Sequence, residues 1–308
     1  MNELSIIAPM AVIIFLGWCF PRFGILPRET FQDINKILYW LAIPALLIRL
    51  TARADLSTLG NWNLFFAIYA GYCILPLIAW GAGRAAGEKR ERLAISVLVS
   101  MRSNQVFMGI PVVSIAMGTP GLEALSIYLA VSLVGYHIIS ISSSQLVLSG
   151  GISPASIKNS LIKVLTNPMV LACFIGIFFS FKEIHVFPRP VDTTLKVLGD
   201  IGTGLALLSI GAKLEVRALP SLLKTTWRDS AVKLLVQPGV VWGLFLLLPV
   251  SPAMMKAVVL VSAMPVAVNS LVVAHGMGMD DRYAGEVITL STILSVVTIP
   301  LWIRLLGL

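Results

Sequence analysis

Charged positions are scarce along this chain and gathered between long apolar runs. Uncharged stretches extend from Leu4 to Pro21, Leu56 to Gly83, Ser103 to Leu122, Ala124 to Ile157, Val164 to Phe181, Leu234 to Met255, Ala257 to Met279 and Val287 to Ile303. A helix crossing the hydrocarbon core needs about 20 mostly apolar residues. The period-two alternation of a membrane β-barrel is absent. The pattern predicts an all-α membrane protein with ten transmembrane helices, at 4–21, 34–53, 61–83, 92–117, 121–148, 161–181, 193–213, 229–249, 253–277 and 283–305. Spans two and seven have short apolar cores, Ile37 to Ile48 and Ile201 to Ala212, flanked by charge, so both should be packed in protein. Glu3 precedes the first run and no small-x-small site follows it, so that run is read as span one rather than a leader.

Two spans are interrupted by residues that do not suit a continuous helix. Span four contains Arg102-Ser103-Asn104-Gln105-Val106-Phe107-Met108-Gly109-Ile110-Pro111, and span nine contains Ser262-Ala263-Met264-Pro265-Val266-Ala267-Val268-Asn269-Ser270. Pro111 lacks an amide hydrogen and crowds the carbonyl of Phe107; Pro265 does the same to Val261. Each span should split into two half-helices close to the bilayer midplane, since Val106 and Val266 lie near the centres of their apolar runs. An unpaired backbone group in lipid costs several kcal/mol, so such breaks persist only where protein or a water-filled cavity satisfies them.

The halves of the chain echo each other. Pro9-Met10 recurs as Pro168-Met169, Pro27-Arg28 as Pro188-Arg189, Ala45-Leu46-Leu47 as Ala206-Leu207-Leu208, Val99-Ser100 as Val261-Ser262 and Met117-Gly118 as Met277-Gly278. The offsets are 159, 161, 161, 162 and 160. With five spans in each half, the second repeat must be inverted relative to the first, a design in which broken helices in matching positions mark a transporter's binding site. The expected division is a first five-helix repeat over 1–148, a linker over 149–160 and a second repeat over 161–308.

Composition agrees with the membrane assignment. The chain is 57% hydrophobic and 12% charged, with a mean hydropathy of +0.90. Its net charge of +8 is read as loop lysine and arginine that orient the spans, not as a nucleic-acid surface. Loops 1–2, 3–4, 5–6, 7–8 and 9–10 hold the larger share, including Arg22, Arg84, Lys89, Lys158, Arg217, Arg228 and Arg282, so both termini are expected outside the cytoplasm. Cys19, Cys73 and Cys173 lie in apolar runs without metal-ligand spacing and read as packing residues.

The candidate chemistry sits at the two breaks. Half-helix N-termini carry partial positive charge suited to an anion. Asn104, Gln105 and Asn269 can both donate and accept, which suits a carboxylate. The expected substrate site comprises Arg102, Asn104, Gln105, Gly109, Ile110, Pro111, Pro265, Val266 and Asn269. Arg102 lies about four residues from the centre of span four, and either faces substrate, pairs with an acid or snorkels to the surface. Lys196 with Asp200, and Arg282 with Glu286, are four apart and should pair along one helical face. His137 and His275 read as hydrogen-bonded core residues. No P-loop, Gly-x-Ser-x-Gly, His-Glu-x-x-His or aspartate pair is present, so ATP-driven transport and intramembrane enzymology are disfavoured. A small-anion receptor that does not transport is the alternative.

Asn104 to Pro111 closely matches the Asn-x-x-Phe/Val-Met-Gly-Ile-Pro pattern of the auxin efflux carrier family, the plant PIN-type carriers and their bacterial organic-acid permease relatives. Ala263-Met264-Pro265, Asp33-Ile34-Asn35, Ala42-Ile43-Pro44-Ala45-Leu46 and Pro300-Leu301 resemble that family by position, and the resemblance covers essentially the whole chain. It implies helices 1, 2, 6 and 7 as a scaffold and homodimer surface, and helices 3–5 and 8–10 as a transport domain in which broken helices 4 and 9 cross. It further implies that Asn104, the backbone from Gly109 to Pro111 and the backbone around Pro265 hold a carboxylate. Asn269 fits the bacterial form. Plant members carry an acid and a lysine in span three, whereas Leu56 to Gly83 is uncharged here. The expectation is a bacterial inner-membrane carrier of a mono- or dicarboxylate such as malate or malonate, or of an auxin-like acid. It would work by alternating access as a secondary active transporter or uniporter, with no resident cofactor and with sodium or proton coupling left open.

Overall fold

The computed structural model describes residues 3–53, 62–149, 162, 166, 168–182, 187–213 and 219–308. The expected linker over 149–160, apart from Ser149, and the loop residues Lys158 and Arg217 lie outside the described residues. Within them the architecture is helical, with a single antiparallel bridge between Ser103 and Val266 as its one piece of extended pairing.

The helices are α1 (Glu3–Arg22), α2 (Arg28–Arg53), α3 (Trp62–Ala85), α4 (Arg90–Val99), α5 (Ile110–Ser149), α6 (Pro168–Phe181), α7 (Arg189–Lys213), α8 (Leu219–Leu247), α9 (Pro252–Ser262), α10 (Asn269–Gly276) and α11 (Asp281–Leu305). Six described helical stretches are long and apolar enough to cross a membrane: α2, α3, Gln105–Leu133, α7, α8 and α11. The protein is an integral membrane protein. Its outward surface agrees, with Phe15, Trp40, Trp62, Leu77, Phe174, Leu246 and Val297 all exposed.

Span four is realised as α4, a break, a π-turn over Gln105–Gly109 and the start of α5. Span nine is α9, a break and α10. At about 1.5 Å per residue, the ten residues of α4 and the eleven of α9 reach only half-way across the hydrocarbon core. The gap expected between spans four and five falls at Gly118, whose φ of 63° and ψ of -150° lie outside the helical region and are open to glycine, so α5 is two helices meeting there, one on each side of the expected break. Span eight starts earlier than expected. Helix α8 begins at Leu219 rather than 229, because Leu219 to Ala231 is amphipathic and its polar face hides it from an apolar-run reading.

Helices α1, α2, α6 and α7 pack chiefly on one another and α3 to α5 with α8 to α11 chiefly among themselves, and the two groups meet where α5 touches α2, α6 and α7 and where α11 touches α1. Small residues permit the closest approaches in the first group. A Cβ on Gly17 would overlap the backbone of Leu208, one on Gly211 the carbonyl of Ile14, and one on Gly176 the Thr51 hydroxyl. Arg49 and Arg53 both bond Asp192, at 2.9 and 2.8 Å, and clip α2 to α7.

Candidate functional site

The two breaks meet. The Asn104 amide donates to the Pro265 carbonyl at 2.8 Å, and the Ala267 amide donates to the Arg102 carbonyl at 2.8 Å. These bonds make the Ser103–Val266 bridge and satisfy main-chain groups that lie outside the helical ladders at the two breaks. The Gly109 amide closes the π-turn on the Asn104 carbonyl at 2.9 Å. Gly109 allows that turn to lie against Val261, whose side chain a Cβ would approach at 3.3 Å. Val266 spends its amide on the Ser291 hydroxyl of α11, at 3.2 Å.

Two cavities open at this junction. The larger, of 310 Å³, is lined by Asn104 and Asn269 from the breaks, Asn35 of α2, Ser209 of α7, and Thr289 and Thr292 of α11, among others. A volume of that order suits a small molecule. The Ser209 hydroxyl is buried in its wall without a hydrogen-bond partner. The smaller cavity, of 70 Å³, shares Asn104 and Asn269 and adds Gln105 and His137. Of the nine residues expected at the site, Asn104, Gln105 and Asn269 line these cavities, while Arg102, Gly109, Ile110, Pro111, Pro265 and Val266 form the buried framework behind them. The Gln105 amide nitrogen is engaged with the Tyr128 hydroxyl at 2.9 Å, beside the Tyr72–Tyr128 hydroxyl pair.

Arg102 neither snorkels nor pairs with an acid. It is fully buried, and its guanidinium donates to Ser270 Oγ (3.0 Å), Ser140 Oγ (3.0 Å) and Asn269 Oδ1 (3.1 Å) while lying 4.6 Å above the Tyr136 ring. All of these partners are neutral. By occupying the Asn269 carbonyl, Arg102 leaves that amide's NH₂ group as the end available to a ligand.

A second buried cation is Lys233, which the sequence analysis did not single out. It sits mid-way along α8 inside a π-turn over Val232–Val236. Its ammonium donates to Ser103 Oγ (3.0 Å), to the Ser262 carbonyl (2.9 Å) and to the Met264 carbonyl. No carboxylate among the described residues pairs with Arg102 or Lys233. Asp229, one turn before Lys233, is committed elsewhere: it accepts from Ser96 Oγ (2.6 Å), the Tyr283 hydroxyl (2.9 Å) and Arg228 Nε (3.0 Å). The signal for Lys233 is a lysine inside the expected span 229–249, where its place near the start of the span gave it the look of an interfacial residue.

The remaining charged candidates take their ordinary roles. Lys196 bonds Asp200 at 2.7 Å and Arg282 bonds Glu286 at 3.3 Å, each along an exposed helical face. His275 is exposed and bonds Asp281 at 2.8 Å, so the expectation of a core histidine fails there. The cause is that α10 ends at Gly276 and releases its last turn to the surface.

A family described as membrane transport protein matches residues 4–303. An uncharacterised transporter of Methanothermobacter thermautotrophicus is 25% identical over 98% of both chains. An uncharacterised transporter of Methanocaldococcus jannaschii is 24% identical, again over 98% of both. A protein of Rhizobium meliloti named as a candidate malonate transporter is 22% identical over 97% of this chain and 94% of its own length. With nearly its whole length matched and transporters among its relatives, this chain belongs to that membrane transport family, the auxin efflux carrier family whose motif Asn104 to Pro111 resembles.

Proposed function

We propose that this protein carries a small organic anion, a mono- or dicarboxylate, across the membrane by alternating access. The observation that carries this reading is the pair of buried cations, Arg102 and Lys233, held without a carboxylate among the described residues, behind a cavity faced by Asn104 and Asn269. Buried charge is ordinarily paired, and an isolated one is costly. An anion in the cavity supplies the missing counter-charge. Asn104 and Asn269 donate to its oxygens, and half-helix N-termini beginning at Gln105 and Asn269 add partial positive charge. The malonate specificity named for the Rhizobium relative lies within this substrate class.

The reading assigns ten spans in two inverted repeats, with the broken fourth and ninth crossing at the midplane. Helices α1, α2, α6 and α7 serve as scaffold and as a homodimer surface, and the rest serve as the moving domain. Support comes from the denser packing of those four helices among themselves and from the cavity's position, lined by α2 and α7 as well as by the breaks and α11. Both termini are placed outside the cytoplasm by the distribution of loop lysine and arginine, in a bacterial inner membrane.

The test is charge movement in proteoliposomes challenged with malate, malonate, lactate and indole-acetate. A current for at least one acid, lost in Asn104→Ala, is expected. The main-chain bond from Asn104 to Pro265 does not depend on that side chain, so the variant should remain folded. Silence across the panel from folded protein, or an undiminished current in Asn104→Ala, would overturn the proposal.

A further inference from the structure

The three oxygens around the Lys233 ammonium form a cage of the kind that binds a free monovalent cation. Helix α9 ends at Ser262, and the carbonyls of Ser262 and Met264 turn out of the helical ladder at the break. A helix C-terminus carries partial negative charge, which favours a cation there. The third oxygen is the Ser103 hydroxyl, which donates its own hydrogen to the Ser262 carbonyl at 3.3 Å and so presents a lone pair to Lys233. Every partner accepts, and an ammonium has three donors and no acceptor. With the Ser103 hydroxyl turned to the Ser262 carbonyl, the three oxygens match the three donors of an ammonium one for one. The site is fully buried, and the lysine is delivered to it by a π-turn, a local irregularity common at functional positions.

We propose that Lys233 is a tethered cation, filling permanently the oxygen cage at the end of α9 that sodium would otherwise occupy. The chain then holds its anion without an alkali cation bound and released at this position. The charge travels with the break instead of being exchanged with solvent. The repeat equivalent of Lys233, at the offset of 161, is Tyr72, whose hydroxyl meets Tyr128 at 3.2 Å, so the device belongs to the second repeat alone. Its consequence for transport rests on the reading as an anion carrier; the cage itself does not, and the experiment separates the two.

The experiment is thermal unfolding of the purified full-length protein in nanodiscs, in sodium chloride against N-methylglucamine chloride at equal ionic strength. Wild type should unfold at the same temperature in both. Lys233→Ala should unfold lower in N-methylglucamine and recover saturably with sodium or methylammonium. At ten times the cation's dissociation constant, its unfolding equilibrium constant should fall about 11-fold. Lys233→Met, which fills the cage with an apolar chain, should unfold low and recover with neither. A saturable sodium effect on wild type, or a Lys233→Ala protein indifferent to both cations, overturns the proposal. Should Lys233→Ala fail to fold in every salt, the wild-type comparison decides alone: indifference to sodium supports the tethered cation and saturable stabilisation rejects it. Malonate uptake by wild-type proteoliposomes is the second arm, expected to be equal in the two salts; faster uptake in sodium also rejects it. Absence of any uptake counts against the carrier reading and leaves the unfolding arm to judge the cage.

Discussion

Replacing Arg102 by glutamine removes a positive charge that has no counter-ion among the described residues, so its effect should scale with the charge of the ligand. The guanidinium lies 3.1 Å from Asn269 Oδ1, and a carboxylate accepting from the other end of that amide adds the amide's width and a hydrogen bond of about 2.9 Å. The charges are then about 8 Å apart. At an effective dielectric near 20, their attraction is about 2 kcal/mol for each negative charge. A monoanion should lose roughly 30-fold in affinity and a dianion roughly a thousandfold. The assay is direct binding of propionate and malonate, matched in carbon number, to wild type, Arg102→Gln and Arg102→Lys. Unfolding temperatures are read alongside, so that lost binding is not mistaken for a lost fold. Arg102→Lys keeps the charge while losing the fork that spans Ser140, Ser270 and Asn269, and should preserve most of the preference for the dianion. An equal loss for both acids in Arg102→Gln would refute the reasoning and leave Arg102 as a brace between the breaks and α5.

Other expectations follow from packing and from the second buried charge cluster. Gly211→Ala places a Cβ against the Ile14 carbonyl and should destabilise the α1–α7 contact by about 1–3 kcal/mol, read as a lower unfolding temperature. Tyr283→Phe removes one donor from the buried Asp229 carboxylate and should cost about 1.5–3 kcal/mol. Because Asp229 lies outside both junction cavities, the apparent substrate affinity of Tyr283→Phe should stay at the wild-type value in uptake assays. Ser209→Phe introduces a ring into the larger cavity, where the native hydroxyl has no partner, and should abolish binding while the protein still unfolds cooperatively.

The breaks at Asn104–Pro111 and Pro265–Asn269 were legible because proline and asparagine stand out in an apolar run, and a membrane gives them few places to go. The depth of Arg102 was legible for the same reason. Its partners were not, since Ser140, Ser270 and Asn269 come from distant positions and serine leaves little mark on a hydropathy pattern. Lys233 escaped because the first part of α8 is amphipathic. Arg217, Lys224 and Arg228 made that segment look like a loop, which put Lys233 near the end of a span instead of at the centre of a 29-residue helix. The break between spans four and five was legible because Gly118, Thr119 and Pro120 carry the residue types of a turn; a second helix starts directly beyond Gly118 since Pro120 is tolerated in a first turn.

The Ser103–Val266 bridge ties the two breaks through main-chain atoms alone. A joint built that way is indifferent to the letters written at its positions, provided a peptide amide and a carbonyl remain. Asn104, which borders it, can therefore be exchanged for other polar residues without dismantling the frame that presents it, and Asn269 for residues that still accept from Arg102. Selectivity for one substrate over another then becomes a matter of a few side chains on a fixed chassis. The natural starting point for redirecting this carrier is a small library at positions 104, 209, 269 and 289, with the rest of the chain left alone.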